Sequence, residues 1–305
     1  MKEQEGAARP LDRRQFFKAT ASTGAAAAAG ALGLKVMETS QAEAASLPPV
    51  NTDSPGALIA RMQAELEQVV ASGRRPGWLM VVDTRKCIGC DACTAACRAE
   101  VPAGPAGALR RVIQIRLTLT DRPISIFKPF NCLQCDNPPC QRAVPAGMIR
   151  KRPDGIVELD QTVLRGDFAR AAAEACPFQA MHVDDGRNFT EGTLEPQAYE
   201  ERTFTEYGRS WRRKPGANGL ENAARKCTFC SHLLEQAILP ACVTTCIGGA
   251  MYFGDGNDPS SLVNEVTLGR RRFAGHDAYG VQPRVIYLEE PMPDASSLSC
   301  QICHY

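Results

Sequence analysis

Fourteen cysteines in 305 residues fall into groups whose spacing points to chemistry. Cys87, Cys90, Cys93 and Cys97 read C-x2-C-x2-C-x3-C. That spacing lets three thiolates wrap one iron–sulfide cube while the fourth cysteine points to a second. A zinc site would use one or two C-x2-C pairs rather than this triple. Disulfides between such near neighbours would be strained in most pairings. Cys132, Cys135 and Cys140 follow as C-x2-C-x4-C, and Cys176 stands alone before Pro177. Cys227, Cys230, Cys242 and Cys246 then read C-x2-C-x11-C-x3-C. The remaining pair differs. Cys300-Gln-Ile-Cys303-His304 is the attachment signature of a c-type haem, with one thiol for each vinyl group and the histidine beneath the iron. A metal-binding or disulfide tail is the other use of so short a motif. A sixth haem ligand could come from His276, His182, His232, Met292 or a partner.

The chain opens on a targeting segment rather than on structure. Asp12-Arg13-Arg14-Gln15-Phe16-Phe17-Lys18 is a twin-arginine signal, Ala19 to Leu34 is short and apolar, and Ala42-Glu43-Ala44 offers a cleavage site. Residues 1–44 are therefore expected to be removed. Twin-arginine export carries folded proteins, and haem c is attached after export, so both ends of the sequence place the protein in the periplasm. Net charge is +1 and the short basic runs are balanced by acid, which argues against a nucleic-acid partner. Nothing after residue 44 approaches the roughly 18 apolar residues of a membrane span.

The elements that must position these cysteines can be read in part. Leu58, Ile59, Met62, Leu66 and Val69 recur at helical spacing, which predicts an amphipathic helix over Pro55 to Ser72 within an N-terminal helix or linker, 45–76. Gly77 to Asp83, Ile113 to Thr120, Gly155 to Asp160 and Met181 to Asp184 read as strands. Arg187 to Lys226 is polar and weakly patterned, an irregular insertion serving as a surface loop or a docking arm. Asp294 to Ser299 links to the haem motif, within a tail over 291–305.

From about Gly77 to Leu288 the chain resembles the four-cluster iron–sulfur subunits of DMSO reductase, polysulfide reductase and formate-dependent nitrite reductase systems. Beyond the cysteines, the likeness rests on Cys135-Asp-Asn-Pro-Pro-Cys140, Pro240-Ala-Cys242 and Phe253-Gly254-Asp255-Gly-Asn-Asp258-Pro259. The resemblance implies an α+β fold of two interleaved ferredoxin-like halves with loop-rich insertions, spanning 77–290, the second half (about 128–186) inserted in the first. It also implies the ligand sets. Cys87, Cys90, Cys93 and Cys246 would hold one [4Fe-4S] cluster; Cys97, Cys227, Cys230 and Cys242 a second; Cys132, Cys135, Cys140 and Cys176 a third. The family's fourth cluster would need cysteines where this chain has Val144, Gly166, Ala169 and Ala172. All four are absent together, so three clusters are expected. Val144, Leu164, Phe168 and the run Ala169 to Ala175, as a short helix, are the expected filling of the vacated volume. The rival is a three-iron cluster on Cys132, Cys135 and Cys140, with Cys176 free.

The function this implies is electron transfer. The chain shows no phosphate-binding glycine loop, nucleophile elbow or open metal triad. It is expected to act as a subunit, not as an enzyme alone. The implied partners are a molybdopterin or multihaem cytochrome subunit and a quinone-reactive membrane subunit. In the family the lost cluster is the terminal one on the membrane side, so the haem is read as its replacement, a port to a different partner.

Overall fold

The helix Pro55–Ser72 spans the residues that its apolar period predicts, burying Ala57, Leu58, Met62, Leu66 and Val69. Ser54 caps its start by accepting from the Ala57 amide, and Gly73 stops it in the left-handed region at φ +64°. Its apolar face lies on the strand Met251–Asp255, where the Phe253 amide meets Met62 Sδ at 3.1 Å. This computed structural model describes residues 54–288 apart from 106, 120–121, 194, 196, 214–218, 271 and 273–278. The export segment, the Cys300-x-x-Cys303-His304 tail, His276 and Met292 lie outside the described residues.

The architecture is α+β, with short helices among small sheets. Trp78–Asp83 is the centre of a three-stranded sheet, antiparallel to Met251–Asp255 and parallel to Val285–Leu288. Met80, Val81 and Val82 are fully buried, as expected of a strand covered on both faces. Arg110–Leu119 and Arg122–Asn131 form a long hairpin with Ile113 opposite Lys128. Two smaller antiparallel pairs follow, Ile149–Lys151 with Val157–Leu159 and Met181–Val183 with Ala224–Lys226. Among the described residues no helix is long and apolar enough to cross a membrane.

The insertion differs from its sequence reading. The hairpin Thr203–Glu206 and Arg209–Arg212 turns Phe204 and Tyr207 inward, and Leu220 and Ala223 are fully buried. Its charges also go inside. Arg213 bonds Asp184 at 2.7 Å, and Arg225 bonds Asp184 at 2.8 Å and pairs with Glu206. All four side chains are shut off from solvent. A polar, weakly patterned segment reads as surface when charges are assumed to face water; here they face each other.

Candidate metal centres

The structure brings the twelve described cysteines, all free of disulfides, into three groups of four. Cys87 faces Cys90, Cys93 and Cys246. Cys230 faces Cys97, Cys227 and Cys242. Cys135 faces Cys132, Cys140 and Cys176. Cys176 stands among the third group. The first four line one gap together with Val112, Pro129 and Met251. The second four line another with Met80, Leu109 and Arg110. Four thiols lining one gap suit a multi-atom cluster.

The groups stand in a row. Cys242 of the second group faces Cys93 and Cys246 of the first, and Cys227 of the second faces Cys132 of the third. The first group reaches the surface at Cys90, with Ile88 and Ile247 exposed beside it. In the second, Cys227, Cys230 and Cys242 are buried. In the third, Cys132 and Cys176 are half-buried.

Burial governs the thiols. It pushes Cys135 and Cys140 up to about 12, and Cys227 up to about 11, with neighbouring thiolates adding to the rise. Cys97 and Cys230 are raised further for the same reason. Metal-free, Cys97, Cys135, Cys140, Cys227 and Cys230 are neutral thiols near neutral pH, so their loading with iron must release protons.

Local backbone geometry repeats between groups. In the C-x2-C that opens each of the three described runs, the residue before the second cysteine is left-handed: Gly89 at φ +73°, Gln134 at +51° and Phe229 at +55°. At Gly89 a Cβ would also lie 2.5 Å from the Phe127 ring. A second repeat follows the closing cysteines. Gln179 and Gly249 are left-handed, and the next amide turns back on the sulfur, Ala180 to Cys176 at 3.5 Å and Ala250 to Cys246 at 3.2 Å. Each then starts a strand at a methionine, Met181 or Met251. The sequence signal was present, Cys-x3-Ala-Met in both places, but sequence reasoning missed it.

Of the positions Val144, Gly166, Ala169 and Ala172, the two alanines are fully buried, Val144 is half-buried, and Gly166 borders open space. Gly166–Glu174 is a helix whose Ala169 and Ala172 are fully buried against Ile149, Val157, Leu159, Leu164 and Met181, with Val144 alongside. Phe168, expected among the fillers, is instead 44% exposed on the outer face of that helix. A residue that sequence reasoning did not single out, Tyr207 of the insertion, is part of the core there.

A family model described as a 4Fe-4S dicluster domain matches residues 124–195 and 212–256. The selenate reductase B subunit of Mesobacillus selenatarsenatis is 38% identical over 232 residues, covering 76% of this chain and 78% of that protein. The chain belongs to the iron–sulfur B-subunit family of respiratory reductases. Other relatives include the tetrathionate reductase B subunit of Salmonella typhimurium, 32% identical over 62% of each chain. A putative iron–sulfur B subunit of dimethyl sulfoxide reductase from Halobacterium salinarum is 30% identical over 70% of this chain and 79% of that protein. Like its relatives, the protein is an electron-transfer subunit of a reductase complex, not catalytic alone.

The family's non-cysteine residues have structural work here. Asp136 of the Asp-Asn-Pro-Pro stretch pairs with Lys151 at 2.9 Å and Arg284 at 2.5 Å. Asp255 accepts from the Gly77 amide at 2.8 Å and the Asn257 amide at 2.9 Å, closing the strand end. Of the candidate haem ligands described, His232 Nε2 is engaged by Glu100 at 2.9 Å. His182 is held neutral, near 4, by burial and by Arg225.

Proposed function

We propose that this iron–sulfur subunit relays single electrons inside an exported reductase complex through three [4Fe-4S] clusters and one haem c. Cys87, Cys90, Cys93 and Cys246 would hold the first cluster, Cys97, Cys227, Cys230 and Cys242 the second, and Cys132, Cys135, Cys140 and Cys176 the third. The observation that carries this reading is the meeting of twelve cysteines as three complete fours, while the helix that would supply ligands to a fourth buries Ala169 and Ala172 instead. Random loss of cysteines would leave half-ligated groups. When bound, such clusters take and give one electron each, at potentials set by burial and by hydrogen bonds to sulfur.

The chain's own part is positioning. Left-handed residues fold the thiol loops back on themselves, and the amides of Ala180, Phe229 and Ala250 meet Cys176, Cys227 and Cys246. The first group, with exposed Cys90 between Ile88 and Ile247, suits a contact with one redox partner. The third group, near Phe178 and the exposed Tyr279, suits another. The repeated turn after Cys176 and Cys246 supports two ferredoxin-like halves, the second inserted in the first. The relatives' names, B subunits of selenate, tetrathionate and dimethyl sulfoxide reductases, support a catalytic reductase partner, expected to be of molybdopterin type; a multihaem cytochrome and a quinone-reactive membrane subunit are the other expected partners.

The twin-arginine segment supports a periplasmic location, and Cys300, Cys303 and His304 support a covalent haem serving as the port that replaces the absent fourth cluster. Low-temperature EPR of the oxidised chain, with iron quantification, tests the cluster reading: a strong three-iron signal would sink it. A pyridine haemochrome assay on the exported protein tests the tail, and absence of covalent haem overturns that part.

A further inference from the structure

Four cationic side chains are sealed inside the described fold, and they divide by what faces them. Arg213 and Arg225 meet carboxylates, Asp184 and Glu206. Arg110 and Lys226 do not. Arg110 is 2% exposed. Its guanidinium donates to Asn131 Oδ1 at 2.8 Å and to the thioether sulfurs of Met80 and Met251, while its Nε has no partner. Lys226 is 1% exposed and reaches neutral groups: Val157 O at 2.6 Å, Cys227 O at 3.1 Å, Gln134 Oε1 at 3.3 Å and the Tyr207 ring at 5.6 Å. Among the described residues neither has a carboxylate within ion-pair distance. A buried cation with no counter-charge is strongly unfavourable.

Their positions say where the missing negative charge belongs. Arg110 faces Cys93 of the first group and Cys227 and Cys242 of the second. Lys226 faces Cys140 and Cys176 of the third group, and its own chain neighbour is Cys227 of the second. One cation therefore stands in each seam of the row. We propose that Arg110 and Lys226 are positioning residues whose fixed charges compensate the anionic clusters on either side and hold them more easily reduced. An electron arriving at a cluster adds one negative charge, and a cation in this low-dielectric interior favours that state over a longer range than in water. This rests on the three-cluster reading above.

The test is an EPR-monitored redox titration of the full exported chain, with Cys176→Ser marking the wave of the third group. In Arg110→Met the two other waves should move down by at least a tenfold change in reduction equilibrium, about 59 mV for one electron. In Lys226→Met the marked wave should move by a similar amount and the first group's wave should stay. Arg110→Lys and Lys226→Arg should restore the potentials. Unchanged potentials in methionine variants with full iron content would overturn the proposal. So would equal cluster loss in the methionine and the charge-keeping variants, which would assign both residues to packing alone. Wild-type iron content, read first, reports on the site assignment separately.

Discussion

Arg225→Met tests whether the inward-folded insertion is held by its buried charges. Arg225 donates to both oxygens of Glu206, to Asp184 Oδ2 at 2.8 Å and to Pro102 O at 2.8 Å. Asp184 keeps Arg213 after the substitution, but Glu206 loses its cation and retains only Gln161. Removing one partner of a buried pair costs about 3–5 kcal/mol, because the other charge is left in the interior. Arg225 lies on the strand that runs into Cys227 and Cys230, so opening there exposes the second thiol group. At about 1.4 kcal/mol per decade, iron release to a chelator should accelerate roughly a hundredfold to several thousandfold where opening is fast and reversible. The double variant Arg225→Met with Glu206→Gln should recover a good part of the loss, since the orphaned carboxylate is its main source. An acceleration below about tenfold, or no recovery in the double variant, would refute this account of the insertion.

Three further outcomes follow from the geometry. Asp83 is fully buried; burial opposes its ionisation, but Arg85 and Arg270 overcome that and lower it to about 2. Its folded value lies below its unfolded one, so it stabilises the protein above about pH 4 and the contribution fades between about pH 4 and 2. Relative to Asp83→Asn, the wild type should lose its advantage in iron retention over that window. Gly89→Ala places a Cβ 2.5 Å from the Phe127 ring at a left-handed φ of +73°, so iron should be lost from the first group ahead of the others, with partial rescue by Phe127→Ala. Cys176→Ser should turn the third centre into a three-iron species seen by EPR of the oxidised protein; an unchanged spectrum would remove Cys176 from that set.

The site was more legible in the sequence than the fold around it. Ligand spacing is a local constraint, so the cysteine groups stand out in the chain, and the helix Pro55–Ser72 carries its own period and caps. The strand Arg122–Asn131 was missed because Pro123 and Pro129 break the strand pattern, although a two-stranded hairpin tolerates them. Tyr207, Arg110 and Lys226 owe their roles to what lies opposite them across long sequence separations, which no window of residues displays. Phe168 was misjudged for a helical reason: Ala169 and Ala172 share the inner face, and Phe168 falls outside it.

The central claim is that this iron–sulfur subunit has three complete cluster sites and no fourth. Iron and acid-labile sulfide, counted per chain on the protein purified without oxygen and paired with low-temperature EPR, test it most directly. The account expects three clusters of four irons each, beyond any haem iron, with no strong three-iron signal in the oxidised protein. A fourth cluster's worth of iron and sulfide, or a stoichiometric three-iron signal from the wild type, would contradict it.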